Sequence, residues 1–202
     1  MPSLAFAEFE DAAETVIRIL KTIPEFSNVK IVVIGGLSLW KYAREYRTTE
    51  DVDFLITAPG APSSVKDKLL ALPSSPFQQR AQLFEYKTPS GKALQIDMTP
   101  EWQSPYIPSA AATINSIQPG ALPYISPLDL VAFKINSCGL RPTPEKKLRD
   151  ASDAAYLLRK LSQNGPVTLS VDQKNAVLQG LNDAIQLTPM PPTWWKETMG
   201  LE

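Results

Sequence analysis

The chain has 202 residues, with 20 Lys and Arg against 21 Asp and Glu and a formal net charge of -1. That length suits one domain of two lobes at most, able to bury a core without disulfides, and the near-neutral balance gives no whole-molecule field for nucleic acid or membrane while leaving a local basic patch open. With no histidine and one cysteine, Cys138, the commonest zinc ligand, the commonest general base and any internal disulfide are removed, so a bound metal is expected on oxygen donors, which favours Mg2+ or Mn2+.

The first twenty residues carry Glu8, Glu10, Asp11 and Glu14 where a secretory leader would be basic, and no apolar run reaches the length of a membrane span. A cytoplasmic, membrane-free protein is expected. Over residues 6–20 the apolar positions Phe9, Ala13, Val16 and Leu20 recur at helical spacing and predict an amphipathic helix. Residues 30–34 are β-branched and almost wholly apolar, the composition of a strand covered on both faces. Gly35 and Gly36 close that run, and residues 37–44 read as a short helix.

A second strand is expected over 52–56, then a turn-rich stretch and a helix over 65–72. Another strand over 82–87 is expected to pair through the TPSG turn with 93–98. Prolines at 100, 105, 108, 119, 123 and 127 are too dense for long elements, so this segment reads as a loop-rich crossover with a short strand near Tyr124, and as the boundary between lobes. Beyond it three helices are expected: from the Ser126-Pro127 start to about 137, from Thr143-Pro144-Glu145 to about 161, and over 171–185. The organisation expected is an α/β (α+β) lobe with a small mixed sheet over 1–125, a helical lobe over 126–187 and a Pro/Trp-containing tail over 188–202, with Trp194 and Trp195 packed back on the domain.

The chemistry centres on EDVDFLI. Residues i and i+2 of a strand share a face, so Asp51 and Asp53 project together while Val52 and Phe54 point the other way. Two carboxylates held that close repel, and desolvation adds to the cost, unless a cation lies between them. The strand over 93–98 offers Asp97, with Ile96 and Met98 on its opposite face. If it lies beside 52–56, three aspartates converge. Such a set suits a two-metal site, in which one ion activates an attacking hydroxyl and the other holds a triphosphate. The glycine pair then stands where backbone can approach a phosphate at a helix start, with the Ser38 hydroxyl in reach.

Together these residues resemble the nucleotidyltransferase superfamily of the DNA polymerase β-like fold: a Gly-Gly turn, a short helix, an Asp-x-Asp strand and a later strand Asp. The segment Arg47-Thr48-Thr49-Glu50-Asp51-Val52-Asp53-Phe54 is similar to the AbiEii-type toxin branch, as are Lys134, Lys147, Arg149-Asp150 and Asp153 to its helical Lys…Lys/Arg-Asp-x-x-Asp motif. The gap over 37–50 is longer than in compact members. The resemblance implies metal-dependent transfer of an NMP from an NTP to a hydroxyl, with pyrophosphate released. It implies Asp51, Asp53 and Asp97 as metal-binding and catalytic residues, and Gly35, Gly36, Ser38, Arg47, Lys134, Lys147, Arg149 and Asp150 on the nucleotide side. Two alternatives stand beside it. One is a catalytically degenerate fold that binds a nucleotide or protein. The other, for Lys147, Asp150 and Asp153, is a set of solvated charge pairs such as Arg149 with Asp153. The acceptor is open among a small molecule, a protein side chain and an RNA end. Cys138, with no base beside it, is expected as a small buried hydrophobe.

Overall fold

A computed structural model describes residues 5–201 and divides into two compact units, residues 1–125 and 126–202. In the first unit, α1 (Phe6–Leu20) starts with the Glu8 carboxylate accepting from the Ala5 N–H at 2.8 Å, and buries Phe9, Ala12, Ala13, Val16 and Leu20. Its partner layer is a six-stranded mixed sheet formed by β1 (Lys30–Ile34), β2 (Asp51–Ile56), β3 (Phe77–Arg80), β4 (Leu83–Lys87), β5 (Ala93–Pro100) and β6 (Ala112–Thr113), in the order β3-β4-β5-β2-β1-β6. Only β2 and β5 run parallel; the other neighbours are antiparallel.

The short helices α2 (Gly35–Tyr42) and α3 (Ser63–Leu70) complete this unit. Trp40 of α2 meets Phe6 and Phe9 of α1 edge to face, with ring centroids 5.2 and 5.8 Å apart, which ties the helix that follows the glycine pair to the core. Both β1 and β2 bury residues of either side chain parity, including Val32, Val33, Phe54 and Leu55, as strands in the middle of a sheet do.

Several element boundaries differ from the sequence expectation. α2 begins on Gly35 itself rather than at residue 37, β3 was not expected, and β5 runs two residues further, to Pro100. The proline-rich crossover pairs through Ala112–Thr113, while Tyr124 makes a single parallel bridge to Val33, with the Val33 N–H donating to the Pro123 carbonyl at 2.7 Å.

The second unit holds α4 (Pro127–Cys138), α5 (Pro144–Leu161), α6 (Val171–Leu187) and α7 (Pro192–Thr198). Ser126, Thr143 and Ser170 cap the first three, their side-chain oxygens accepting from N–H groups three residues on. Gly180 of α6 lies against the Ile135 carbonyl of α4; a Cβ there would come within 2.7 Å of the Ile135 carbonyl carbon, so only glycine allows this approach. The segment expected as a tail carries α7, and its Trp195 is wholly buried. Cys138 is buried, and burial pushes its thiol up to about 11.

Candidate active site

Asp53 on β2 and Asp97 on β5 lie directly opposite each other in the parallel ladder, and Asp51 lies opposite Gln95. Alternation along both strands puts all four on one face, with Val52, Phe54, Ile96 and Met98 buried on the other. One carboxylate oxygen from each of Asp51, Asp53 and Asp97 lies within 4.8 Å of the others, and all three residues are half-buried. At such separations two unit charges repel by about 4 kcal/mol at an effective dielectric near 20. The surroundings answer part of that repulsion with donors. The Thr49 hydroxyl donates to Asp51 Oδ1 at 2.7 Å, the Gln95 amide donates to Asp97 Oδ2 at 2.8 Å, and the Gly36 N–H lies 3.3 Å from Asp53 Oδ2.

The glycine pair is explained by this packing. Gly35 has φ +65°, and a Cβ on it would stand 2.8 Å from Asp53 Cβ and closer still to the carboxylate. A Cβ on Gly36 would meet Thr49 Cβ at 2.8 Å and its hydroxyl more closely. The two glycines therefore make room for an acidic side chain and for the threonine that orients another, a requirement that precedes any approach of phosphate.

The remaining expected residues fall into different places. Ser38 is 0 % exposed, and its hydroxyl donates to the Val33 carbonyl at 2.9 Å, tying α2 to β1; this corrects the expectation that it faces phosphates. Arg47 is half-buried and donates to the Thr48 carbonyl at 2.8 Å within the connection that leads to β2. In the helical unit, Lys147 is half-buried and Arg149 exposed.

Lys134 and Asp150 are not surface groups. Lys134 is 6 % exposed and Asp150 and Asp153 each 1 %. The Lys134 ammonium meets Asp150 at 2.5 Å and Asp153 at 3.0 Å, Arg141 joins Asp150 at 2.5 Å, and the Ser137 hydroxyl donates to Asp150 Oδ2 at 3.1 Å. The expected Arg149–Asp153 surface pair is thus replaced by a buried network joining α4 to α5. Burial works to raise the Asp150 pKa, but the Lys134 and Arg141 charges and their hydrogen bonds outweigh it and hold the carboxyl below its ordinary value. With its donors committed to two carboxylates, Lys134 serves the helix packing in this arrangement.

Thr49 and Gln95 were not singled out from sequence. For Gln95 the available signal was alternation, since it stands two residues before Asp97 on β5, whereas Thr49 precedes β2, with a bend at Glu50 between it and Asp51.

The crystal structure of an antigenic nucleotidyltransferase-like protein from Paracoccidioides brasiliensis aligns with a TM-score of 0.60 over 96% of this chain and 94% of that chain, at 19% identity, a likeness of fold. The chain belongs to the nucleotidyl transferase AbiEii toxin family of type IV toxin–antitoxin systems, whose family model matches residues 18–189. No match was found among curated proteins.

Proposed function

We propose that the protein is a metal-dependent nucleotidyltransferase that moves an NMP from an NTP to a hydroxyl acceptor and releases pyrophosphate. The observation that carries this reading is the convergence of Asp51, Asp53 and Asp97 within 4.8 Å on one half-buried face. Carboxylate oxygens are the donors that Mg2+ and Mn2+ take, and the cluster has no softer ligand to favour zinc or copper. Asp51, Asp53 and Asp97 would hold the metal. When bound, a divalent ion there supplies charge neutralisation for the triphosphate and lowers the pKa of an attacking hydroxyl.

The protein's own residues do the rest. Asp51 and Asp53 fix the site to the start of β2, with Thr49 holding the first of them in one orientation. Asp97, held by Gln95 through one oxygen, is the group that accepts or orients the acceptor hydroxyl proton. Gly35 and Gly36 let the Asp53 carboxylate and Thr49 pack against the start of α2, whose helix dipole favours negative charge. Arg47, Lys147 and Arg149 are the cations assigned to the nucleotide by family likeness.

The test is incubation of the protein with each α-labelled NTP, Mg2+ or Mn2+ and cell extract, alongside Asp51→Asn plus Asp53→Asn. Label on an extract component with the wild type, absent with the double variant, is the expected result and identifies the acceptor. Labelling that survives the double variant, or no labelling and no pyrophosphate under any NTP, overturns the reading.

A further inference from the structure

The first unit also carries a cavity of about 530 Å³ that shares no residue with the aspartate cluster. The cavity is long: Glu8 near the start of α1 and Lys21 just past its end both line it, about 20 Å apart along the helix. Its other walls are the turn between β4 and β5 and residues 117–122. The turn is tied to the first end by the Lys92–Glu8 pair at 3.4 Å, and residues 117–122 to the second by the Lys21 ammonium on the Ile117 carbonyl. Ile17, Ile117 and Leu122 supply apolar lining between the ends, and the volume lies in the range of small-molecule sites.

The charges along the α1 wall are balanced but not mixed. Beside the Glu8–Lys92 pair, the wall carries Asp11 and Glu14 toward one end and Arg18 and Lys21 toward the other. Lys21 keeps its charge while donating to the neutral Ile117 carbonyl, and among the described residues Asp11, Glu14 and Arg18 enter no hydrogen bond or ion pair. The midpoints of the acidic and basic pairs lie about 10 Å apart along the helix. Charges in this order also complement the helix macrodipole, but that effect is confined to the first and last turns, and Asp11 and Glu14 stand beyond the first.

A wall of this kind attracts neither cations nor anions as a class, because its net charge is zero. It discriminates by the order of charge along its length: an acidic end, apolar surface, a basic end. The complementary ligand carries the opposite charges in the same order. A lone amine or a lone carboxylate would match one end and leave the other unanswered.

We propose that this cavity is a second binding site, for a short zwitterion whose charges stand about 10 Å apart on an apolar body, the span of an extended tripeptide. Its ammonium would face Asp11 and Glu14, its carboxylate Arg18 and Lys21, and its body would cover Ile17, Ile117 and Leu122. The site is separate from nucleotidyl transfer and does not depend on it.

The probe is the tripeptide Leu-Ala-Leu, whose binding to the full chain is measured by calorimetry and saturation-transfer NMR. Beside it run its N-acetyl form, its C-terminal amide, the dipeptide Leu-Leu and the pentapeptide Leu-Ala-Ala-Ala-Leu. Each cap should weaken binding about 2- to 5-fold, the worth of an exposed charge pair. The dipeptide and pentapeptide, spanning about 7 and 17 Å, should bind less tightly than the tripeptide. Asp11→Asn plus Glu14→Gln should abolish the cost of the N-acetyl cap and leave that of the amide. Arg18→Gln should reduce the cost of the amide and leave that of the N-acetyl cap. Asp11 and Arg18 are exposed and Glu14 half-buried, and an unchanged thermal midpoint checks that each variant is folded. Asp53→Asn should leave tripeptide binding as in the wild type, so failure of the metal reading would not disturb this one. No binding of the tripeptide, equal affinity for its capped forms, equal affinity at all three lengths, or cap costs unaltered in the matching variants would overturn the proposal.

Discussion

Replacing Gly35 by alanine separates the architectural role of the glycine pair from its backbone strain. At φ +65° an alanine costs about 1–2 kcal/mol, offset by up to about 1 kcal/mol from a less flexible unfolded chain. The added Cβ also displaces the Asp53 carboxylate and its contact with the Gly36 N–H, which adds about 1 kcal/mol. A net loss near 2 kcal/mol lowers the melting midpoint by roughly 4–8 °C in a protein of this size. The more telling readout is the rise in midpoint on adding Mn2+ with a non-hydrolysable NTP. At a hundred times the dissociation constant, ligand stabilises by about 2.7 kcal/mol, or roughly 5–11 °C, and Gly35→Ala is expected to abolish that rise. Gly91→Ala is the control: Gly91 has φ +83° and a Cβ added there would meet nothing within 4 Å, so it carries the strain without the intrusion and should keep the rise. A Gly35→Ala protein that shifts with metal as the wild type does, or a Gly91→Ala protein that loses the shift, would refute the packing argument.

Two further outcomes follow from the geometry. Thr49→Val and Gln95→Met remove the hydroxyl and amide that orient Asp51 and Asp97 while keeping side-chain size, and each should weaken Mn2+ binding about 10- to 100-fold, read by the loss of free-ion electron paramagnetic resonance signal; affinity equal to wild type would assign these donors to packing alone. Asp150→Asn leaves Lys134 buried with one carboxylate and should destabilise the helical unit by about 3–5 kcal/mol in denaturant unfolding. Because the folded Asp150 pKa is depressed, its stabilisation is fully present above the unfolded value of about 3.9 and is lost as pH falls through the lower folded value. The wild type should therefore lose stability more steeply than Asp150→Asn below about pH 4, and parallel profiles would contradict that assignment.

Much of the sheet was legible because its inner strands are short runs of β-branched and aromatic residues broken by glycine and proline. The aspartate convergence was legible for a local reason: alternation puts Asp51 and Asp53 on one face, and a single pairing then places Asp97. What escaped depends on tertiary context. β3 shows only Phe77 as a buried residue, too little pattern to mark a strand, and β6 has two residues. Gly35 and Gly36 are poor helix formers, so propensity places the start of α2 later than it lies, while the carboxylate and threonine beside them, which leave no room for a Cβ, account for the glycines themselves. Lys134 and Asp150 were placed on the nucleotide side by the family resemblance, with solvated charge pairs as the alternative for Asp150 and Asp153. Only the packing of α4 on α5, with Arg141 brought back onto Asp150, turns them into a buried network.

The proposed function stands or falls on Asp51, Asp53 and Asp97 together holding the metal. An anomalous difference map from crystals grown with Mn2+ and a non-hydrolysable NTP tests this. Manganese density is expected within coordination distance, about 2.0–2.3 Å, of oxygens from all three aspartates, with nucleotide phosphate on the same ion. Phosphate and manganese bound elsewhere, with these three carboxylates uncoordinated, would contradict it.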